Sequence, residues 1–243
     1  MRSIRLYVDL PLAPDTDASL PAAARENATR VLRLRAGDAL TLFNGDGHDY
    51  PARLLEVARS LASVRIATRS APAAAESPLT LTLVQGIARD EKIDWILQKA
   101  TELGVACIVP VLTARTEVRL HAERGEKRTA HWRGVIASAC EQCGRARLPQ
   151  LLPPQPLAAW LSRARHETPL FTLDPQATLR VRDLPTLSAA QLVIGPEGGL
   201  DAADLLLLRA AGAQGLALGP RVLRTETAGM AALATLQSHS GDC

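Results

Sequence analysis

Leu192-Val193-Ile194-Gly195-Pro196-Glu197-Gly198-Gly199 and Leu218-Gly219-Pro220-Arg221-Val222-Leu223-Arg224-Thr225-Glu226-Thr227-Ala228 are two glycine-punctuated segments near the C-terminus of this 243-residue chain. Each reads as a buried strand that breaks into a tight turn before a helix. Ligands of open α/β sheets bind where strands end, so two such turns bracket one molecule or, on the competing reading, are two ordinary tight turns. Gly195, Gly198 and Gly199 permit backbone conformations closed to residues with a Cβ and let main-chain groups approach a ligand. Asp201 is placed to cap the helix that follows. Neither segment has P-loop or G-x-G-x-x-G spacing, and neither carries a lysine for phosphates. That favours a ligand without phosphate.

Within the second segment, Thr225 is explained as a helix cap and Glu226 as an answer to the positive end of the helix dipole. Arg224 has no such explanation, because a cation is unfavourable at a helix start. It is therefore singled out as functional.

Outward from these segments, strands alternate with helices. Residues 79–84 read as a strand, followed by a helix capped by Asp90 and ended by Gly104, with Ile93, Ile96, Leu97, Ala100 and Leu103 on one face. Further strands are read at 106–111, 169–173, 191–194 and 216–218, with a long helix from about Glu123 to Gln142. This order predicts an α/β fold with a mostly parallel sheet covered on both faces. Nearer the N-terminus, period-two alternation at 4–8, 39–43 and 63–67 predicts half-buried strands. Asn44-Gly45-Asp46-Gly47 supplies a hairpin turn between the last two, and a helix runs from Pro21 towards Leu32. Two prolines and small residues around 70–78 mark a boundary. The expected division is a β-rich domain at 1–70, a linker at 71–78 and an α/β domain at 79–243.

Apolar residues are 47% of the chain but aromatics only 3%, so the cores must pack through aliphatic side chains. The formal charge is only +3. Yet Arg115, Arg119, Arg124, Lys127, Arg128, Arg133, Arg145 and Arg147 outnumber Glu117, Glu123, Glu126 and Glu141 in mid-chain. Such a cluster suits a phosphate-rich partner and equally a solvated helix face. The N-terminus Met1-Arg2-Ser3-Ile4-Arg5 lacks the apolar run of a signal peptide, and no stretch approaches the length of a membrane span. With Cys107, Cys140, Cys143 and Cys243 forming no disulfide framework, a reducing cytoplasm is the expected setting. Cys140 and Cys143 have the spacing of half a metal motif but no second pair, so helical packing is expected and no metal. His48, His121, His131, His166 and His239 form no triad, and no G-x-S-x-G elbow is present. Hydrolase and metalloenzyme readings lose ground accordingly.

Taken together, the two opening segments resemble the signature of the SPOUT-class methyltransferases, specifically the ribosomal small subunit methyltransferase E family. The resemblance extends through 94–104, 139–145, 30–33 and 43–45, and so covers essentially the whole chain. Asn27 stands where relatives often carry His, and Asp174 where some have His before Pro175. The resemblance implies a PUA-like β-barrel followed by a SPOUT-type parallel sheet whose C-terminal segments form a trefoil knot. It implies a homodimer that uses S-adenosylmethionine to methylate N3 of a uridine in 16S rRNA, as free RNA or in the 30S subunit.

By the same resemblance, Leu173, Ile194, Gly195, Pro196, Glu197, Gly198, Gly199, Leu218, Gly219, Leu223, Thr227 and Ala228 hold the cofactor. Arg224 stabilises charge that develops on the uracil, and Glu226, with Glu197 behind it, is the candidate base. Arg5, Arg30, Arg33 and Arg35 are expected to hold surrounding RNA, and Glu141, Gln142 and Arg145 to border the uridine or its phosphates. Competing readings are a knotted methyltransferase acting on tRNA or 23S rRNA, and a non-catalytic RNA-binding protein.

Overall fold

The computed structural model describes residues 4–58, 61–117, 122–163 and 168–243. Arg119, His121 and His166, and the side chains of Asp90, Glu123 and Arg124, lie outside the described residues. The chain separates into two compact units, Met1–Glu76 with Ala137–Leu148, and Ser77–Ile136 with Pro149–Cys243.

The first unit contains β1 (Arg5–Tyr7), β2 (Asp17–Ser19) and α1 (Ala22–Glu26), which continues as a π-helical stretch over Asn27–Val31. β3 (Ala39–Phe43), β4 (Tyr50–Val57) and β5 (Ala62–Ile66) follow. The sheet order is β1-β3-β4-β5-β2, with β1 parallel to β3 and the other pairs antiparallel. The glycine-rich turn joins β3 to β4, not to β5: Gly45 and Gly47 have φ of 92° and 93°, and Asp46 accepts the Tyr50 hydroxyl at 2.6 Å. β4 is an addition to the sequence reading. Pro51, which argues against a strand, is accommodated opposite Thr41 while its carbonyl accepts the Ala67 N–H at 2.9 Å. Alternate residues Leu40, Leu42, Tyr50, Ala52, Leu54, Val64 and Ile66 fill the core.

Residues 137–148 join this unit through a second, smaller cluster of Phe43, Cys140 and Ala146, flanked by Tyr7 and Leu148. Buried charge surrounds it. Arg5 pairs with Asp49, gives a hydrogen bond of 3.0 Å to the Arg145 carbonyl, and sits 4.8 Å over the Phe43 ring. Arg145 pairs with Glu76 at 2.6 Å. Glu141 accepts from the Tyr7 N–H at 2.9 Å and from the Asn27 amide at 3.4 Å. Burial pushes the Glu141 carboxyl up, against the pull of Tyr7 N–H, Arg5 and Asn27.

The second unit runs β6 (Thr80–Gly86), α2 (Asp90–Glu102), β7 (Cys107–Leu112), α3 (Ala122–Cys143, whose last turns count with the first unit), β8 (Gln150–Leu151) and β9 (Gln155–Pro156). α4 (Leu157–Arg163), β10 (Leu170–Leu173), β11 (Ala189–Ile194), α5 (Ala202–Ala210), β12 (Gln214–Leu216) and α6 (Thr225–Ser240) complete it. All its strand pairs are parallel, in the order β12-β10-β11-β6-β7-β8, with β9 also on β7. β11 thus enters between the earlier strands β10 and β6. On one face Val84, Val109, Val193 and Leu170 pack with Leu157 and Trp160 of α4 and Leu208 of α5. On the other, Gly229 lets α6 approach Leu83 and Ile194 to ordinary contact distance. Ile93, Ile96, Leu97 and Ala100 of α2 are buried as the periodicity predicts, and Leu103 is half-buried. The cap of α2 differs from expectation: Arg89 is the N-cap residue and Asp90 the first helical residue.

The Arg5–Asp49 pair generates a prediction for the first unit. Asp49→Ala leaves the buried guanidinium without its counter-charge and is expected to lower stability by about 3–5 kcal/mol, read from equilibrium urea denaturation.

Candidate functional site at the ends of three parallel strands

β10, β11 and β12 end side by side, and the chain leaving them walls a cavity of about 410 Å³. Thr172 to Pro175 line it after β10, Val193 to Glu197 with Gly199 and Leu200 after β11, and Gly215, Leu216, Leu218 and Gly219 around β12. Arg221 to Thr225 and Ala228 close it on the side of α6, and Leu205, Arg209 and Ala213 on the side of α5.

The first glycine segment folds back on itself. The Gly199 N–H reaches the Pro196 carbonyl at 2.8 Å, and Gly199 takes φ of 71°. A Cβ on Gly195 would stand 2.8 Å from the Gly199 carbonyl carbon, so only glycine fits. One on Gly86, at the end of β6, would stand 2.5 Å from the Pro196 nitrogen. Arg115 fixes the outside of the loop by donating to the Gly198 carbonyl at 2.8 Å. Asp201 caps α5 as the sequence predicts, accepting from Asp204 N at 2.8 Å.

Thr225 does something other than cap. The N-cap position of α6 is Arg224, and no side chain caps it. The Thr225 hydroxyl, in the first helical residue, donates to the Gly195 carbonyl at 2.6 Å and accepts from Gln85 Nε2 at 3.0 Å. Gln85 is fully buried and also donates to the Gly86 carbonyl at 2.9 Å. One threonine and one glutamine therefore tie the two glycine segments to each other and to β6. These bonds use the Gln85 amide nitrogen, while its buried Oε1 receives no hydrogen bond.

Of the residues expected to hold a ligand, Leu173, Ile194, Gly195, Pro196, Glu197, Gly199, Leu218, Gly219, Leu223 and Ala228 line the cavity. Gly198 and Thr227 do not: Gly198 turns to Arg115, and Thr227 is on the exposed side of α6. Arg224 is exposed on the wall and has no ion pair among the described residues. Glu226 lies behind the wall, beside Lys92 of α2. The Lys92 Nζ is 3.5 Å from Glu197 Oε1 and 3.9 Å from Glu226 Oε2. Burial alone would raise the Glu197 carboxyl, but its own N–H, that of Arg89 and the Lys92 ammonium outweigh burial and hold it below the usual carboxylate range.

No lysine lines the cavity, as the sequence reading has it; its cations are the exposed arginines Arg209, Arg221 and Arg224. Arg5 and Arg145, expected to contact RNA, are buried and committed to Asp49 and Glu76. Glu141 is spent on Tyr7 and Asn27, whereas Arg30, Arg33, Arg35 and Gln142 are exposed. The sequence reading also missed Gln85, Lys92, Thr172 and Arg209, which lie outside the glycine segments; their one shared signal is a place at or just after a strand end, or in the helix beyond it.

Comparison with known proteins now becomes informative. The family model for an RNA methyltransferase domain matches residues 75–237, and that for an RNA methyltransferase PUA domain matches 28–67. Ribosomal RNA small subunit methyltransferase E of Buchnera aphidicola subsp. Schizaphis graminum is 30% identical over 239 residues, 98% of this chain and 97% of that protein. The Mycobacterium tuberculosis protein of that name is 32% identical over 241 residues, 96% of this chain and 90% of its own. Among solved structures, a putative methyltransferase of Legionella pneumophila with bound SAM is 39% identical, with TM-score 0.94 over all of both chains. The Neisseria gonorrhoeae ribosomal RNA small subunit methyltransferase E bound to S-adenosyl methionine is 34% identical, with TM-score 0.91 over 99% of each chain.

The tie under the loops is testable by itself. Thr225→Val keeps the shape but removes the hydroxyl from the Gly195 carbonyl and from Gln85. It is expected to cost about 1–3 kcal/mol and to speed amide hydrogen exchange at Gly195 and Gly199 relative to the rest of the sheet.

Proposed function

The chain belongs to the ribosomal RNA small subunit methyltransferase E family, and on that premise we propose that it methylates N3 of a uridine in 16S rRNA with S-adenosylmethionine as methyl donor. The observation that carries this reading is the cavity where both glycine segments meet, with Arg224 exposed on its wall.

The residues present fit the cofactor. A volume of about 410 Å³ lies within the range of small-molecule sites, roughly 300–1,000 Å³. Leu173, Ile194, Leu216, Leu218 and Leu223 provide an aliphatic slot for a flat base. At Gly199 and Gly219 nothing lies within 4 Å of where a Cβ would stand, so there is open space beside their main chain. These residues would hold the cofactor, which supplies an electrophilic methyl group.

The protein's own part is to admit, orient and deprotonate the uridine. N3 is on the Watson–Crick edge, so the base must be unpaired to present it. As the N3 proton leaves, charge develops on O2 and O4, and Arg224 is the donor that answers it. Glu226, one-fifth exposed beside the wall, takes the proton, and Glu197 lines the wall in front of it. Arg209 and Arg221, exposed on the same wall, suit flanking phosphates. Arg30, Arg33 and Arg35 offer further cations on the first unit.

On the same premise the enzyme acts as a homodimer in the cytoplasm, and its C-terminal segments form a trefoil knot. The entry of β11 between two earlier strands supports the knot, and no helix among the described residues is long and apolar enough to cross a membrane.

Two measurements test this reading. Incubated with S-adenosylmethionine, the protein is expected to place N3-methyluridine in 16S rRNA, and mass analysis of nucleosides from 30S particles and from protein-free 16S rRNA will show which form it uses. The same product in tRNA or 23S rRNA instead would overturn the substrate. Arg224→Ala is expected to lower kcat by about 10²-fold with cofactor affinity unchanged by calorimetry; intact methyl transfer would remove Arg224 from the mechanism.

A further inference from the structure

Lys92 belongs to neither glycine segment, yet it faces both. Its ammonium, in the first turn of α2, lies 3.5 Å from Glu197 Oε1 in the loop after β11 and 3.9 Å from Glu226 Oε2 in the first turn of α6. Glu226 Oε2 is buried and receives no hydrogen bond. An ionised carboxylate oxygen in that state is costly unless a nearby charge compensates.

No other cation makes an ion pair with these two carboxylates among the described residues. The Arg89 guanidinium pairs with Glu117 and feels Glu197 only through the longer-range charge, while the Arg89 backbone N–H donates to Glu197 at 3.1 Å. Arg115 is on the Gly198 carbonyl, and Arg224 is exposed on the cavity wall. Lys92 is the cation between the two carboxylates.

Resting on the function proposed above, we infer that Lys92 is a positioning residue for methyl transfer: standing between Glu197 and Glu226, it holds the two carboxylates together in place, and so holds Glu226 where it accepts the N3 proton. Without it, two negative groups share one small space, and one of them is driven towards its protonated form. A base that holds its proton more tightly is inactive up to a higher pH, so the acid limb of the rate profile moves upward.

Lys92→Met keeps a long, helix-compatible side chain on a partly exposed position and removes only the charge; thermal melting checks that the fold persists. In this variant, 13C-carboxyl NMR titration of the full chain is expected to show the Glu197 midpoint raised, because the Lys92 charge that helps hold it down is gone. On the acid limb, below the midpoint, kcat is expected to fall about tenfold and to change little near neutral pH, with KM for 30S particles within about twofold of its original value. Lys92→Arg is expected to restore the midpoint, the limb and most of the rate. Unchanged carboxyl midpoints in Lys92→Met would overturn the role of Lys92, as would an arginine variant that fails like the methionine one. The NMR arm needs no turnover, so an original chain that transfers no methyl to any RNA would sink the proposed function and still leave Lys92 to be judged.

Discussion

The hydroxyl of Thr225 is the point on which the site depends. It closes a chain of hydrogen bonds from Gln85 through Thr225 to the Gly195 carbonyl, all beneath the loops and away from water. Parallel strands that end together leave unpaired main-chain carbonyls in an apolar setting, and each needs a donor. Here the donors are side chains from β6 and α6, which set the distance between the two glycine segments. The absence of Cβ atoms at Gly86 and Gly195 then lets the backbone close to van der Waals contact. The cavity is what that closure leaves open.

Charge is distributed around the cavity by depth. Arg209, Arg221 and Arg224 are exposed on the wall, where a polyanion can reach them. Glu197, Glu226 and Lys92 form a partly shielded cluster beside it. On the proposed function, binding RNA at the surface and removing a proton just inside needs both arrangements. The hydrogen bonds to Glu197 from its own N–H and that of Arg89 keep a carboxylate charged there.

In the first unit, arginine has a different use. Arg5 and Arg145 stand at positions that sequence reading assigns to RNA, and both are buried: Arg5 ties β1 to Asp49 and to the Arg145 carbonyl, and Arg145 pairs with Glu76. Buried pairs of this kind are weak contributors to net stability, but losing one partner is expensive. A pattern of charges along a chain carries no information about burial. Two arginines at solvated positions and two in a core look alike until the neighbours are known.

Much of the second unit was readable along the chain. The alternation of strands and helices, the buried face of α2, the Asp201 cap and the two glycine turns all rest on local spacing and local backbone preference, which a linear sequence encodes directly. Strand β4 was obscured by Pro51, whose place in the ladder depends on the partner strand. The partners of Thr225 are 30 and 140 residues distant, and those of Lys92 are in two other elements, so no local pattern reports them. The sequence by itself determined that two strands would end in glycine-lined turns, favoured a ligand between them, and set Arg224 apart at a helix start. Tertiary structure alone decided which arginines are buried, which carboxylate lines the cavity and which lysine stands between the two, because burial and charge pairing are set by neighbours in space.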